Sequence, residues 1–310
     1  MRIAFVFPGQ GSQSVGMLSG FAGNETVAGV MARADEALGF SLTGLIAEGP
    51  AETLSLTVNT QPAMLASSVA FYEAWLAAGG RTPEMMAGHS LGEYSALCAA
   101  GAMSLETAVR LVRFRAEAMQ SAVPVGVGGM AAVIGLADDA VEAAVAEARE
   151  TGRVEAVNFN APGQVVIAGE KAAVARAIEC AKARGGCRRA IELPVSAPFH
   201  SSLMQPAADK LAARLAETEI QVPAIPVIAN IDVEVHETPD AIREALARQA
   251  AGAVQWVRTI ERMKAAGITD IVECGPGKVL TGLLRRTAPE INGHNIFDAA
   301  SLAAVLEKLN

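Results

Sequence analysis

Met85-Met86-Ala87-Gly88-His89-Ser90-Leu91-Gly92-Glu93-Tyr94-Ser95-Ala96-Leu97-Cys98-Ala99-Ala100-Gly101 carries an apolar run, a glycine-flanked serine and a helix-prone run stopped by glycine. The middle fits G-x-S-x-G, with strand, turn and helix where a nucleophile elbow requires them. Its glycines let the backbone turn sharply and keep side chains out of the way. Ser90 then stands at a helix N-terminus, whose free N–H groups can stabilise an oxyanion. Strand followed by helix is also the pattern at both ends of the chain, at 3–7 and 24–38 and again at 268–273 and 279–286. This is the grammar of a parallel sheet flanked by helices, an α/β fold.

The stretch 126–196 reads differently. Strands are expected at 130–135, 154–159, 164–168 and 188–195, with helices at 138–149 and 171–184, giving the βαββαβ order of a ferredoxin-like unit. Asp138 or Asp139 is expected to cap the first helix, Gly185-Gly186 to stop the second, and Pro162-Gly163 to turn the chain between adjacent strands. The expected organisation is a catalytic domain made of 1–125 and 197–310, with 126–196 inserted as a subdomain.

With 310 residues, 51% hydrophobic and 19% charged, the chain can bury a full core. Its 25 basic and 33 acidic residues give a formal charge of -8, which repels nucleic-acid phosphates and argues against such a partner. The longest stretch without polar side chains, 122–137, is interrupted by Pro124 and several glycines. It falls short of the roughly 18 to 20 residues of a membrane span, so no membrane association is expected. Before Pro8 stands a short apolar run with no cleavage site behind it, so the N-terminus reads as a first strand. Cys98, Cys180, Cys187 and Cys274 are scattered, suggesting neither a metal site nor a disulfide framework, and a reducing cytoplasm is the expected setting.

A nucleophilic serine needs a base, and the chain offers four histidines. His89 adjoins Ser90 at the elbow, where its side chain is expected to point away from the hydroxyl. His236 lies in a charged segment and His294 in a polar tail. His200 is the best candidate: it follows Pro194-Val195-Ser196-Ala197-Pro198-Phe199, an extended loop, and precedes a helix expected at 203–216 with Ser201 or Ser202 as cap. The positive end of that helix would favour neutral imidazole, the form a base must have. No acid between Ser90 and His200 announces itself as a third triad member. Either an acid after His200 or a backbone or amide oxygen must orient the imidazole.

On the helix expected at 104–123, Glu106, Arg110, Arg113 and Glu117 recur on one face as a solvated, mutually paired stripe. Arg115 is not on it; its helical neighbours are Leu111, Val112, Ala118 and Met119. A guanidinium on an apolar face must meet an anion, either a distant Asp or Glu or a ligand. Gly9-Gln10-Gly11 lacks the third glycine of a dinucleotide fingerprint, and Gly275-Pro276-Gly277-Lys278 lacks the spacing of a P-loop. The first remains useful as a loop whose N–H groups could complete an oxyanion hole. Cys274 reads as a strand-end packing residue, and Lys182, Arg184, Arg188 and Arg189 form a basic cluster in an otherwise acidic chain.

Phe7-Pro8-Gly9-Gln10-Gly11-Ser12-Gln13, the elbow through Tyr94, Arg115, Asn158-Phe159-Asn160, Ser196-Ala197-Pro198-Phe199-His200-Ser201, Val254-Gln255-Trp256 and Gly275-Pro276-Gly277-Lys278 occur in this order. Together they resemble the malonyl-CoA:acyl carrier protein transacylase family, to about Arg286. The resemblance implies an α/β-hydrolase-like core with a ferredoxin-like insertion. It also implies Ser90 as nucleophile, His200 as base, Arg115 as clamp for the malonyl carboxylate, and the N–H groups of Gln10 and Leu91 as oxyanion hole. The main-chain carbonyl at Gln249 would hold the histidine, Gln61 and Asn160 would line the site, and Phe199 resembles malonyl-selective members. Malonyl-CoA and an acyl carrier protein are the implied partners, with a coenzyme A thioester as substrate and no permanently bound cofactor. Ala250-Ala251-Gly252-Ala253 stands where the family often carries Asn-Pro.

Two other activities fit parts of the same pattern. A serine thioesterase or esterase would release free malonate and use an acidic triad member. A non-catalytic carrier-binding module would have no use for Ser90, His200 and Arg115 together.

Overall fold

The computed structural model describes residues 1–195 and 197–310; Ser196, in the loop before His200, lies outside the described residues. The strands among them are β1 (Ile3–Phe7), β2 (Met85–Gly88), β3 (Gly128–Ile134), β4 (Val154–Ala161), β5 (Gln164–Glu170), β6 (Arg189–Glu192), β7 (Val227–Ile228), β8 (Asp270–Cys274) and β9 (Asn292–Ile296). They make two sheets.

The first sheet has the order β7-β2-β1-β8-β9, and every pairing is parallel. Helices cover both faces, so β1 is buried along its whole length. Alternation sends its residues to two cores. Ile3, Phe5 and Phe7 join the cluster with Tyr72 and Trp75, while Ala4 and Val6 pack with Trp256, Ile260 and Leu284. Tyr72 and Trp75 belong to the helix Thr57–Ala77, which is buried on nearly every side and so has no single apolar stripe.

The second sheet is antiparallel, in the order β4-β5-β3-β6. Helices Asp138–Ala148 and Lys171–Ala183 join its strands in the βαββαβ sequence and share a separate core with them. Gly163 turns the chain between β4 and β5 with φ 70°. The first helix is capped differently from expectation. Ala137 is its N-cap, and Asp138 and Asp139 lie in the first turn, where negative charge still complements the helix dipole.

Where β4 bulges it is tied to the segment between the helices Pro239–Gln249 and Trp256–Ala265. Phe159 N–H donates to the Val254 carbonyl at 3.0 Å and Val254 N–H to the Val157 carbonyl at 2.8 Å. This bridge sets Asn158 and Asn160 opposite the carboxyl ends of β1 and β2. The crevice outside those strand ends, where α/β sheets usually take their ligands, holds the candidate site.

Candidate active site

β2 ends at Gly88, and Ser90 follows at φ 54°, ψ -111°, a left-handed conformation that a serine adopts only under constraint. Both flanking glycines are steric necessities. A Cβ at Gly88 would run into the Gly92 and Glu93 backbone, and one at Gly92 into the Phe7 carbonyl. Asn230, just past β7, staples the turn: its Oδ1 accepts from Ser90 N–H at 2.7 Å and its Nδ2 donates to the Gly88 carbonyl at 2.7 Å.

Ser90 Oγ lies 2.7 Å from His200 Nε2. On the other side of the ring, Nδ1 is 2.9 Å from the main-chain oxygen of Gln249, the last residue of the helix Pro239–Gln249. A carbonyl can only accept, so Nδ1 carries the proton and Nε2 is left to accept from the serine hydroxyl. The imidazole is pushed down to about 3, first by burial and then by the Arg115 charge. Its neutrality therefore has a different origin from the helix end expected. Neither Ser201 nor Ser202 caps: Ser201 Oγ donates to the Pro198 carbonyl, Ser202 to Glu155, and a short 3₁₀ turn precedes the helix Gln205–Ala216.

Arg115 projects from the helix Leu105–Ser121 and is 2% exposed. Its Nη1 donates to Gln61 Oε1 at 2.8 Å, and its Nη2 to Gln249 Oε1 at 2.9 Å and to Ser90 Oγ at 3.2 Å. It lies 5.3 Å from the Tyr94 ring centroid. All these partners are neutral, and Nε has none among the described residues. The expected stripe on the opposite face forms only in part. Arg113 pairs with Glu117 at 2.9 Å, but Glu106 pairs with Arg33 rather than Arg110, because the neighbouring helix Glu25–Leu38 brings that guanidinium closer.

A half-buried serine, an imidazole of fixed tautomer and a buried arginine without an acid thus converge on one point, and residues 4–307 match the acyl transferase domain model. The chain belongs to the acyl transferase domain family. It is 51% identical to the malonyl CoA-acyl carrier protein transacylase of Escherichia coli over 99% of both chains. The crystal structure of an acyl-carrier-protein S-malonyltransferase from Burkholderia pseudomallei superposes with a TM-score of 0.98 at 57% identity, covering 99% of this chain and all (100%) of that one. A malonyl-transacylase solved in complex with a type II polyketide acyl-carrier protein matches with a TM-score of 0.98 at 47% identity, over 99% of this chain and 100% of that one.

In this acyl transferase the remaining expected residues surround a cavity of about 280 Å³. Gln10 stands in the loop after β1, and its Oε1 accepts from Thr57 Oγ1 at 2.7 Å, which in turn accepts from Gln61 Nε2 at 3.1 Å. Leu91 is the first residue of the helix Leu91–Ala99, so its N–H has no acceptor within that helix. Asn160 Oδ1 is 2.7 Å from His89 Nε2; His89 makes its hydrogen bond there rather than at Ser90, while still lining the cavity. Phe199 closes one wall with the apolar Met130, Val166 and Leu193. Cys274 is a buried strand end whose thiol is pushed well up by burial, as packing requires.

Two buried residues at the site escaped the sequence reading. Asn230 follows a two-residue strand too short to show a period. Glu93 looks like an ordinary helical acid, yet it is 2% exposed, and its Oε2 accepts from Gln249 Nε2 at 2.7 Å and from Asn230 N–H at 2.9 Å. Burial pushes its carboxyl up to about 7 against the opposing effects of Gln249, Asn230 and Arg115. No helix among the described residues is long and apolar enough to cross a membrane.

Proposed function

We propose that the chain moves a malonyl group from coenzyme A, through an ester on Ser90, to the phosphopantetheine thiol of an acyl carrier protein in fatty-acid synthesis. The carrying observation is Arg115: a buried cation with only neutral partners, 3.2 Å from the Ser90 hydroxyl. A substrate carboxylate held there bidentately satisfies the guanidinium and brings the thioester carbonyl to Ser90. The relatives' names, malonyl CoA-acyl carrier protein transacylase among them, support the same substrate and acceptor.

In the first half-reaction His200 Nε2 takes the Ser90 proton as Oγ bonds to the thioester carbon. The N–H groups of Gln10 and Leu91 receive the oxyanion. The C–S bond then breaks, and the leaving thiolate takes the proton from Nε2 as free coenzyme A. The second half runs in reverse: His200 takes the proton of the carrier thiol, sulfur attacks the ester carbon, and Ser90 leaves reprotonated. The Gln249 carbonyl replaces a triad acid, holding the ring without itself bearing charge. Gln61 and Asn160 line the acyl pocket, and Phe199 limits its width. We further assign 1–125 and 197–310 to an α/β-hydrolase-like catalytic domain and 126–196 to a ferredoxin-like subdomain closing the cavity, working in the cytoplasm without a permanently bound cofactor.

Intact-mass measurement tests the reading. Malonyl-CoA should add one malonyl group to the wild-type chain and none to Ser90→Ala, and holo carrier protein should remove it as malonyl carrier. Release as free malonate would make the chain a thioesterase, and labelling of Ser90→Ala would move the nucleophile elsewhere.

A further inference from the structure

We propose that Glu93 is a positioning residue of the acyl clamp: its buried carboxylate locks the Gln249 side-chain amide in the orientation that presents Oε1 to Arg115. An amide can face either way, and here both ends are committed. Gln249 Nε2 donates to Glu93 Oε2 at 2.7 Å and to the Ser90 carbonyl at 3.0 Å, which leaves Oε1 to accept from Arg115 Nη2 at 2.9 Å. A reversed amide would set its NH₂ against the guanidinium and its oxygen against a carboxylate, so Glu93 and Arg115 select one orientation together.

The same geometry places Glu93 near Arg115 but off its fork, whose Nη donors meet only the neutral acceptors of Gln61, Gln249 and Ser90. A carboxylate paired directly with the guanidinium would occupy the donors that a substrate carboxylate needs. Glu93 is instead one amide removed, and the Arg115 Nε–H has no partner among the described residues. Glu93 also accepts from Asn230 N–H at 2.9 Å, and the Asn230 side chain holds the Ser90 turn at 2.7 Å. The clamp and the elbow therefore share one anchor.

His200 meets Gln249 only through the backbone. It leans on the Gln249 main-chain carbonyl, held by the eleven-residue helix Pro239–Gln249, and not on the side-chain amide. Loosening the amide disturbs the clamp more than the base.

The inference rests on the reading of Arg115 as the malonyl clamp, and the test separates the two. Single-turnover kcat/KM is measured for malonyl-CoA and for acetyl-CoA, which has no carboxylate, in wild type, Glu93→Gln, Glu93→Asp and Arg115→Ala, with thermal unfolding as the control for folding. Glu93→Gln keeps an oxygen of the right reach; Glu93→Asp keeps the charge but withdraws it by one methylene. The malonyl-to-acetyl ratio should fall roughly ten- to hundredfold in Glu93→Asp, as for the loss of a hydrogen bond to a charged group, and by less in Glu93→Gln. Equal losses for both substrates, or an unchanged ratio in folded Glu93→Asp, would overturn the inference while Arg115→Ala still collapses the ratio. A ratio unmoved by Arg115→Ala would sink the clamp reading itself.

Discussion

Gln249 sets its main-chain carbonyl oxygen 2.9 Å from His200 Nδ1 and its side-chain Oε1 2.9 Å from Arg115 Nη2. One residue therefore orients the base with its backbone and the cation with its side chain. Substitution of the side chain leaves the carbonyl in place, so Gln249→Ala should keep the His200 tautomer. It should lose roughly tenfold or more in malonyl-CoA kcat/KM, beyond any loss toward acetyl-CoA. The two kcat/KM values, measured side by side, decide this.

Arg115→Ala should lose roughly two to four orders of magnitude toward malonyl-CoA, because removing one partner of a desolvated pair costs on the order of 3 to 5 kcal/mol. Acetyl transfer should fall much less or rise. Arg115→Lys keeps the charge without the planar fork and should recover activity only in part. An unchanged substrate ratio in a folded Arg115→Ala would make this arginine structural.

His200 and Glu93 should act oppositely on stability as pH changes. His200, held at about 3, lies below its ordinary value of 6.5; its contribution is present above that value and is lost as pH falls through the interval between them. Glu93, held up at about 7 from an ordinary 4.5, gives a contribution present at low pH that is lost as pH rises through that interval. Between about pH 4.5 and 6.5 the two slopes offset each other. Glu93→Gln removes one of them, so its Tm should fall more steeply than that of the wild type on acidification across this range. Parallel Tm curves would show that Glu93 does not titrate as described.

Glycines in two settings should respond in opposite directions to alanine. Gly92 abuts the Phe7 carbonyl, so Gly92→Ala must displace backbone and should lower stability by about 3 kcal/mol or more, with loss of acylation. Gly29, inside the helix Glu25–Leu38, has open space where a Cβ would stand. Gly29→Ala should stabilise by about 0.5–1 kcal/mol and leave acylation unchanged. Urea midpoints and malonyl labelling read both.

Salt should slow transfer to carrier protein more than acylation by malonyl-CoA. Lys182, Arg188 and Arg189 are exposed, while Arg184 is held by Glu147 at 3.2 Å. Exposed pairs with an acidic partner are screened beyond a Debye length of about 8 Å at physiological ionic strength. Equal salt sensitivity of the two half-reactions would remove the basic cluster from docking.

Features carried by short-range physics were legible in the sequence. The elbow needs only a strand, two small residues and a helix, all contiguous, and the position of Arg115 on an apolar face follows from helical spacing alone. The βαββαβ order likewise emerges from local period and turn residues. The helix Thr57–Ala77 was not visible in the same way, because burial on nearly every side leaves no stripe to read. What only the tertiary structure decided is which distant polar groups meet. His200 comes to Ser90 across 110 residues and Gln249 to Arg115 across 134, and Glu106 takes Arg33 over its helical neighbour. Glu93 is an ordinary surface-type acid in sequence until the packing of other elements excludes water around it. A side chain's period announces the face it occupies, but the partner of a buried polar group is set by whichever distant element the fold lays against it.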